Sequence, residues 1–504
     1  MLGRCGKAVA VVAISFVLPM LVMTTASCGK STSTVGPGDR PDTAGTCCKS
    51  VEGTVRIKNT VTALAGAVVS TTLDAQTATT DATGHFLLTT ATRITSQSGT
   101  AVYTLTVAKA GYQTFSVPTS GDRLTGLAIE LAVTPDTGIA GPAFVALAAG
   151  TNHTCGLTTA KELYCWGRNV DGQLGDGTST NRQWPTLVGG GFSFVSVTAG
   201  HKHTCALTIA GVAYCWGDAV PGGVYVNSQP PITVRRTPTM VAAPVAFTSL
   251  VAGMISTCGL STTGVEYCWG SMGGPYGDGN PNGGDRLIPI PVTGTWTSIT
   301  LGRSACALTA EGAAYCWGWY VGDGVPWENS LGAPERYVPT AVIGGLSFAS
   351  LSAGGDMHSC GLTRVGVAYC WGSNVYGQLG DGTTGLRLSP TAVAGGLTFA
   401  SLAQGGGGQR SFTCALTAAG ASYCWGRGDS GNLGRGDNQS TLTPSLVSGG
   451  LTFTSVVAGG MHTCWLANTG RAYCAGSNEY SQLGVGDSTS TPRLVPTQVR
   501  FKGP

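Results

Sequence analysis

The chain has 504 residues, of which 42% are hydrophobic and 78 are glycine. A chain of this length and hydrophobic content can bury more than one core, which excludes a disordered protein and favours two or more domains. Only 11% of the residues are charged and the formal net charge is +3. We therefore do not expect nucleic acid as a partner, because nucleic-acid binding needs a strongly basic surface.

Residues 1–28 have the pattern of an export signal. Two basic residues precede an apolar run from Ala8 to Met23, which is too short and too interrupted by proline for a good membrane span. The segment ends in Thr-Ala-Ser-Cys, which resembles the bacterial lipobox, and this resemblance implies that Cys28 carries a lipid. Ordinary cleavage near Ala26 is the alternative. We expect a protein at the bacterial outer membrane or cell surface, touching the membrane only through a lipid anchor, or a secreted protein.

Composition divides the rest of the chain into four segments. Residues 29–48 are rich in Ser, Thr, Gly and Pro and predict a flexible linker, in which the state of Cys47 and Cys48 is left open. Residues 49–134 carry short alternating runs separated by turn residues, which predict a β-sandwich of about seven strands. Residues 135–142 form a second linker, and residues 143–504 form an array of repeats.

The segment 49–134 resembles the carboxypeptidase regulatory-like family, which has a transthyretin-like β-sandwich fold. The stretches VEGTVRI, TTDATGHF and AKAGYQTF carry the resemblance. It implies a spacer or adhesive module without catalytic residues.

Cysteine pairs recur about every 52 residues along the repeat array. The second cysteine always follows the first by ten positions, at Cys155 and Cys165, Cys205 and Cys215, Cys258 and Cys268, Cys306 and Cys316, Cys360 and Cys370, Cys414 and Cys424, and Cys464 and Cys474. Each unit has four short alternating runs separated by glycine. Seven such units predict an all-β fold in which a seven-bladed β-propeller follows the sandwich. How the ring closes is left open.

The units resemble the regulator of chromosome condensation repeat family, whose fold is a seven-bladed β-propeller. The resemblance rests on HTC-L and YCWG at 203–217 and on YCWG and GQLG at 369–380. The family includes exchange factors for a nuclear GTPase, but an export signal and paired cysteines argue against that role here. Units 2 and 4 replace the GQLG loop, and unit 7 has Ala475 where the other units have tryptophan.

The spacing of ten residues predicts a disulfide in each unit. If residues 209–211 form a three-residue loop with Gly211 in the left-handed conformation, Cys205 faces Cys215 across a hairpin. The two form a non-hydrogen-bonded pair, in which Cα atoms lie about 4.5 Å apart. That distance falls at the short end of the disulfide range, and export makes such a bond persist. Unit 1 departs from the pattern because it has Lys161 at the glycine position.

The alternatives for these cysteines are a zinc site and a reactive thiol pair. His203 precedes Cys205 by two residues, but other units have Ser256, Ser304 or Phe412 at this position and keep both cysteines. We therefore expect no metal and no cofactor, since a closed zinc site needs four ligands. A redox role is disfavoured because the pair lacks a helix N-terminus to lower a thiol pKa.

Three further sets of repeated residues have a structural interpretation. The repeated histidines predict a hydrogen bond within each blade, and the tryptophan after each second cysteine predicts packing between blades rather than a ligand platform. The Asp-Gly pairs predict tight turns rather than calcium sites. The members are His153, His203, His358 and His462; Trp166, Trp216, Trp269, Trp317, Trp371 and Trp425; and Asp176, Asp278, Asp323 and Asp381.

No familiar catalytic motif appears, so we expect a non-catalytic, monomeric scaffold that binds a protein or a polysaccharide through its irregular loops. The candidate contact residues are the aromatic residues Tyr225, Tyr276, Trp319, Tyr320, Trp327 and Tyr337. The alternative for these rings is that they fold over their own blade. The alternative function is a polysaccharide-acting enzyme that uses loop acids such as Asp218, Glu328 and Glu335.

Overall fold

The structure is a computed structural model. It describes residues 50–57, 68–71, 77–79, 85–89, 102–108, 115–120, 123–131, 141–218, 234–270, 276–280, 286–318, 321–325, 336–354, 358–407, 410–487 and 489–502. The chain divides into two compact units, 1–135 and 136–504. The predicted export signal, Cys28, Cys47 and Cys48 lie outside the described residues.

The described residues of the first unit form seven strands in two sheets. The strands are β1 (Ser50–Ile57), β2 (Val68–Thr71), β3 (Thr77–Thr79), β4 (His85–Thr89), β5 (Val102–Ala108), β6 (Phe115–Ser120) and β7 (Arg123–Leu131). The sheet orders are β4-β1-β7 and β3-β2-β5-β6, and β1 runs parallel to β7. The resemblance of this segment to carboxypeptidase regulatory-like sandwiches stays a prediction.

The second unit contains seven four-stranded antiparallel sheets, and each sheet is one blade. Blade 1 is β8 (Phe144–Ala149), β9 (His153–Thr158), β10 (Leu163–Gly167) and β11 (Arg182–Leu187). Blade 2 is β12 (Phe194–Ala199), β13 (His203–Thr208), β14 (Ala213–Gly217) and β15 (Arg235–Met240). Blade 3 is β16 (Phe247–Ala252), β17 (Ser256–Ser261), β18 (Glu266–Gly270) and β19 (Arg286–Pro291). Blade 4 is β20 (Ser298–Leu301), β21 (Ala305–Leu308), β22 (Ala314–Gly318) and β23 (Arg336–Ala341).

The remaining three blades repeat this order. Blade 5 is β24 (Phe348–Gly354), β25 (His358–Thr363), β26 (Ala368–Gly372) and β27 (Arg387–Ala392). Blade 6 is β28 (Ser401–Gly405), β29 (Phe412–Leu416), β30 (Ser422–Gly426) and β31 (Thr441–Leu446). Blade 7 is β32 (Phe453–Ala458), β33 (His462–Ala467), β34 (Ala472–Gly476) and β35 (Arg493–Gln498). The expected all-β propeller of seven blades is confirmed.

The ring closes by packing rather than by exchange of a strand, because each blade is one continuous piece of chain. The first strand of each blade is innermost, and β32 contacts β8 as the other innermost strands contact their neighbours. After the last strand, the ring of Phe501 stacks on Phe144 at 5.7 Å and meets Tyr164 edge-on at 5.5 Å. Between blades 1 and 2, Phe192 packs on Tyr214 at 4.6 Å, in a tilted arrangement. Phe501 therefore supplies the contact that a linker residue supplies elsewhere.

The outermost strand of every blade has proline as its fourth residue. The prolines are Pro185, Pro238, Pro289, Pro339, Pro390, Pro444 and Pro496. In blade 2 the N–H of Val241 donates inward to the carbonyl of Ala213. Because backbone direction alternates along a strand, the nitrogen of Pro238 faces outward, where a proline removes a donor from the open sheet edge.

Candidate functional site

Each blade contains one disulfide at the predicted place. The cysteines pair as Cys155–Cys165, Cys205–Cys215, Cys258–Cys268, Cys306–Cys316, Cys360–Cys370, Cys414–Cys424 and Cys464–Cys474. In each pair the Cα atoms lie 4.1 Å apart, at opposed positions of the two central strands. Seven such bonds indicate an oxidising, extracellular environment.

The turn that sets this register is the predicted three-residue loop. The N–H of Thr208 donates to the carbonyl of Val212, and Gly211 has a φ of 76°. Lys161 takes the same left-handed conformation in blade 1, with a φ of 64°. The hairpin therefore keeps its shape even where glycine is missing.

The four repeated histidines are buried and bond to the next blade, not within their own blade as the sequence analysis expected. The distances from Nε2 to the threonine Oγ1 are 2.8 Å for His153–Thr204, 2.9 Å for His203–Thr257, 3.0 Å for His358–Thr413 and 2.9 Å for His462–Thr154. Burial lowers the pKa of these histidines, to about 3 for His153 and His358 and to about 4 for His203 and His462. They are therefore neutral near pH 7.

The threonine hydroxyl fixes the tautomer of the histidine wherever that hydroxyl donates its own hydrogen to a backbone carbonyl. Thr204 donates its hydrogen to the carbonyl of Gln173 at 2.8 Å, so it must accept the hydrogen of His153 Nε2. The indole N–H of Trp216 donates to the same carbonyl at 2.9 Å. Gln173 belongs to the GQLG loop of blade 1, so this loop clamps blade 2.

The tryptophans pack between blades, as expected. All six are fully buried, and Trp216 lies in one apolar cluster with Leu174 of the preceding blade. Blade 7 has Ala475 at this position, and the space is filled by Trp465 from the adjacent strand, which stacks on Phe453 at 5.7 Å. Sequence reasoning missed Trp465 because it stands outside the repeat pattern.

The Asp-Gly turns pair with the arginine that begins the outermost strand of their blade. The Asp-Gly pairs are Asp176–Arg182, Asp278–Arg286, Asp323–Arg336 and Asp381–Arg387; in blade 7, Asp487, which follows Gly486, pairs with Arg493. Although burial alone would raise the pKa of Asp176, hydrogen bonds from Thr178 and Arg182 lower it below its ordinary value. These aspartates therefore hold the loops by ion pairs, a role that the arginine at the start of each of these outermost strands could have indicated.

The face that carries the connections between third and fourth strands is the one we call the long-loop face. Segments 219–233 of blade 2, 271–285 of blade 3 and 319–335 of blade 4 all fall on such connections. They carry most of the irregular sequence of the array. On the same face, Lys202 follows an innermost strand and lies 3.4 Å from the carboxylate of Asp218.

The candidate contact residues fall into three groups. Tyr276 is only 5% exposed, and its hydroxyl donates to the carbonyl of Gly270 at 2.8 Å, so this ring folds over its own blade. Tyr337 is 38% exposed. Outside the described residues lie Tyr225, Trp319, Tyr320 and Trp327, together with the acids Glu328 and Glu335.

A cavity of about 170 Å³ lies at the centre of the ring, where the innermost strands of all seven blades line it. At one wall position six blades carry Ala149, Ala199, Ala252, Leu301, Ala353 and Ala458. Blade 6 carries Gln404, which is 7% exposed and whose amide has no hydrogen-bond partner among the described residues. His201, at the mouth, places Nδ1 2.9 Å from the hydroxyl of Thr151.

Family models of a known repeat match several of these blades. Two profiles of the regulator of chromosome condensation (RCC1) repeat match the chain, one at residues 162–207, 366–409 and 419–466 and one at residues 144–173, 348–378 and 453–482. These segments are RCC1 repeats.

Individual proteins with RCC1 repeats match part of the chain. The ultraviolet-B receptor UVR8 of Arabidopsis thaliana is 29% identical over 323 residues, which is 63% of this chain and 49% of the receptor. The human E3 ubiquitin-protein ligase HERC2 is 39% identical over 95 residues, 18% of this chain and 2% of the ligase. The chain thus spans about half the length of the first relative and a small fraction of the second.

Solved structures share the fold. Human WBSCR16 has a TM-score of 0.57 at 19% identity, covering 66% of this chain and 88% of its own. Yeast RCC1 (Prp20), bound to Kap60, has a TM-score of 0.56 at 20% identity, covering 72% of this chain and 85% of its own. These likenesses establish the propeller. Within the described part of the chain, no helix has the length and apolar character required to cross a membrane.

Proposed function

We propose that this RCC1-repeat protein is an exported, non-catalytic scaffold that binds a protein through the long-loop face of blades 2 to 4. The lipid on Cys28 would hold it at the bacterial envelope. The placement of the irregular segments carries the proposal. Three consecutive blades replace the repeat loop on one face, whereas blades 1 and 5 keep a loop whose carbonyl, at Gln173 or Gln378, clamps the next blade.

The rest of the propeller supports a rigid frame for those segments. Disulfides fix each central hairpin, and buried histidines join blades through threonines. A rigid frame that presents variable loops is the usual arrangement of binding proteins, because the frame limits the entropy lost on binding. Yeast RCC1, which has the same fold, is found bound to the protein Kap60, and this favours a protein over a polysaccharide.

The test is affinity capture by the full chain from envelope and secreted fractions. In one variant, blade 4 residues 319–335 are replaced by the blade 5 loop, residues 373–386. In the matched control, blade 1 residues 168–181 are replaced by the same loop, so that one repeat loop replaces another. We expect the first variant to lose the captured protein and the control to keep it. Equal capture by both variants, or binding to a glycan array in place of any protein, would contradict the proposal.

A further inference from the structure

The disulfide of blade 3 has a neighbour that the other six disulfides lack. Glu266 is 1% exposed, and its Oε1 lies 3.2 Å from the Sγ of Cys268. Glu266 precedes Cys268 by two residues on β18, so strand alternation places both side chains on one face of the sheet. At the same position the other blades carry Leu163, Ala213, Ala314, Ala368, Ser422 and Ala472.

The contact requires that Glu266 be protonated. An oxidised sulfur carries no hydrogen, so only a carboxylic acid can supply the hydrogen of an O–H···S bond to Cys268. Burial raises the pKa of Glu266 to about 8. Its other oxygen, Oε2, has no hydrogen-bond partner among the described residues.

Among the described residues, no opposite charge offsets the burial of this acid. The apolar cluster that contains Cys258 and Cys268 also contains Leu260, which pairs with Glu266 across the hairpin. The titratable side chains in that cluster besides the disulfide are Tyr276 and Tyr315, and tyrosines are neutral near pH 7. Burial therefore keeps Glu266 in its neutral form, with its proton beside the sulfur.

We propose that Cys258–Cys268 is a thiol-reactive site, in which Glu266 gives its proton to Cys268 when an external thiol attacks Cys258. The incoming thiolate forms a bond to the Sγ of Cys258 as the Sγ–Sγ bond breaks. Cys268 leaves as a thiolate and takes the proton of the Glu266 carboxyl group. A second thiolate then attacks the external sulfur of the mixed disulfide and leaves the two external thiols joined as a disulfide. Cys258 is released as a thiolate and takes a proton from water.

The chemistry of the substrate follows from this exchange. Low-molecular-weight dithiols, or a partner with two cysteines, supply both electrons and become the oxidised product. In the reverse direction the Glu266 carboxylate removes the proton of the Cys268 thiol, and this produces the nucleophile that reforms the bond. A helix N-terminus that lowers the pKa of a thiol is not needed, since Glu266 donates the proton to Cys268 and accepts it back.

Burial does not distinguish this disulfide from the others. Cys258 and Cys268 are each 1% exposed, and the other twelve paired cysteines are 0 to 1% exposed. All seven bonds lie in the same hairpin register with Cα atoms 4.1 Å apart. The six other blades are therefore internal controls for opening of the structure and for ionisation of the attacking thiol.

The test measures the reduction rate of each disulfide in the oxidised full chain. The chain is treated with dithiothreitol at several pH values, new thiols are trapped by alkylation, and each pair is followed by peptide mapping. At about pH 7 we expect Cys258–Cys268 to react about 10- to 100-fold faster than the mean of the other six, which lies at and below the lower end of the usual range for general acid catalysis. That ratio falls as the pH passes about 8, because Glu266 then ionises.

Two variants decide whether the acid is responsible. Glu266→Gln keeps the shape but has no proton to give, and Glu266→Ala supplies the residue of four other blades. We expect both to bring the ratio close to one at every pH. A wild-type ratio of one at all pH values overturns the proposal, and so does an excess rate that persists in the variants. If one variant fails to fold, the other variant and the wild-type pH profile give the answer.

Discussion

The imidazole of His462 lies 2.9 Å from the hydroxyl of Thr154, so one hydrogen bond joins the last blade to the first. Thr154 in turn donates to the carbonyl of Gln482 at 2.8 Å. The same arrangement of histidine, threonine and loop carbonyl joins blade 1 to blade 2 through His153 and Thr204. The interface between blades 7 and 1 therefore has the same hydrogen bonds as the interface between blades 1 and 2. Phe501 supplies the aromatic contact that the linker residue Phe192 makes between blades 1 and 2.

Removing the closing hydroxyl should weaken the ring. Thr154→Val leaves the N–H of His462 and the carbonyl of Gln482 buried without partners. We expect the free energy of unfolding to fall by about 1–3 kcal/mol, which is the usual penalty for an unsatisfied buried group. Urea denaturation followed by fluorescence measures the change, and the exposed Thr180→Val is the control. A Thr154→Val variant as stable as its control would show that closure does not depend on this bond.

Stability should fall in mild acid. The folded pKa of the four buried histidines is about 3 to 4, below the ordinary 6.5. The unfolded chain therefore binds more protons once the pH drops below about 6.5, and stability is lost progressively down to the folded pKa. Each histidine contributes about 1.4 kcal/mol per pH unit in that window.

A single replacement should reduce this acid sensitivity. His203→Ser copies Ser256, the residue that blade 3 carries at the same position. We expect its urea midpoint to fall less steeply than that of the wild type between about pH 6.5 and pH 4.5. Parallel slopes for the two proteins would mean that other groups govern acid unfolding.

The stability effects of substitutions at Trp465 and Ala475 in blade 7 should be coupled, because the indole of Trp465 fills the space beside Ala475. Trp465→Ala leaves a cavity beside Phe453 and should cost about 3–5 kcal/mol. Ala475→Trp alone should overpack the same space and destabilise by about 1–3 kcal/mol. The double variant restores the pattern of the other blades, and we expect it to be more stable than either single variant. Additive losses in calorimetry would show that the two positions do not share a space.

A substitution in the hairpin of blade 1 should increase the stability of the protein. Lys161 holds a φ of 64°, a conformation that favours glycine. Lys161→Gly should raise the free energy of unfolding by about 1 kcal/mol, since left-handed backbone strains a residue with a Cβ. Gly211→Lys in blade 2 is the reverse experiment and should lower stability by more than this, because a Cβ at 211 would also lie 2.8 Å from the carbonyl oxygen of Phe247. A Lys161→Gly variant that unfolds more easily than wild type would argue against strain at this turn.

The sequence predicts interactions within a blade better than interactions between blades. The partners Cys205 and Cys215 could be derived because a glycine turn fixes the register of one hairpin. The partner of His203 could not, because Thr257 is brought near it by the rotation between two blades. The sequence of one repeat unit does not specify the angle between neighbouring blades. The expected hydrogen bond of His203 within its own blade was therefore wrong.

Departures from the repeat were the other source of error. Ala475 is visible in the sequence as a missing tryptophan, but Trp465 fills the space from a strand position where no other blade carries tryptophan. Tyr276 was a candidate for contact with a partner, yet its hydroxyl donates to the carbonyl of Gly270, six positions earlier at the end of β18. The role of Glu266 could not be predicted from the sequence, because a single acid in a strand is distinguished only by its contact with the sulfur of Cys268.

The prolines of the outermost strands bear on how copies of this molecule behave when crowded. In blade 2, the N–H of Gly177 from the preceding loop binds the outward carbonyl of Arg236, and Pro238 occupies the next outward position. An approaching strand thus meets one carbonyl already bound and one nitrogen without hydrogen, which disfavours sheet growth between molecules at this edge. The outer edges of the blades therefore oppose strand pairing between copies even at high protein concentration.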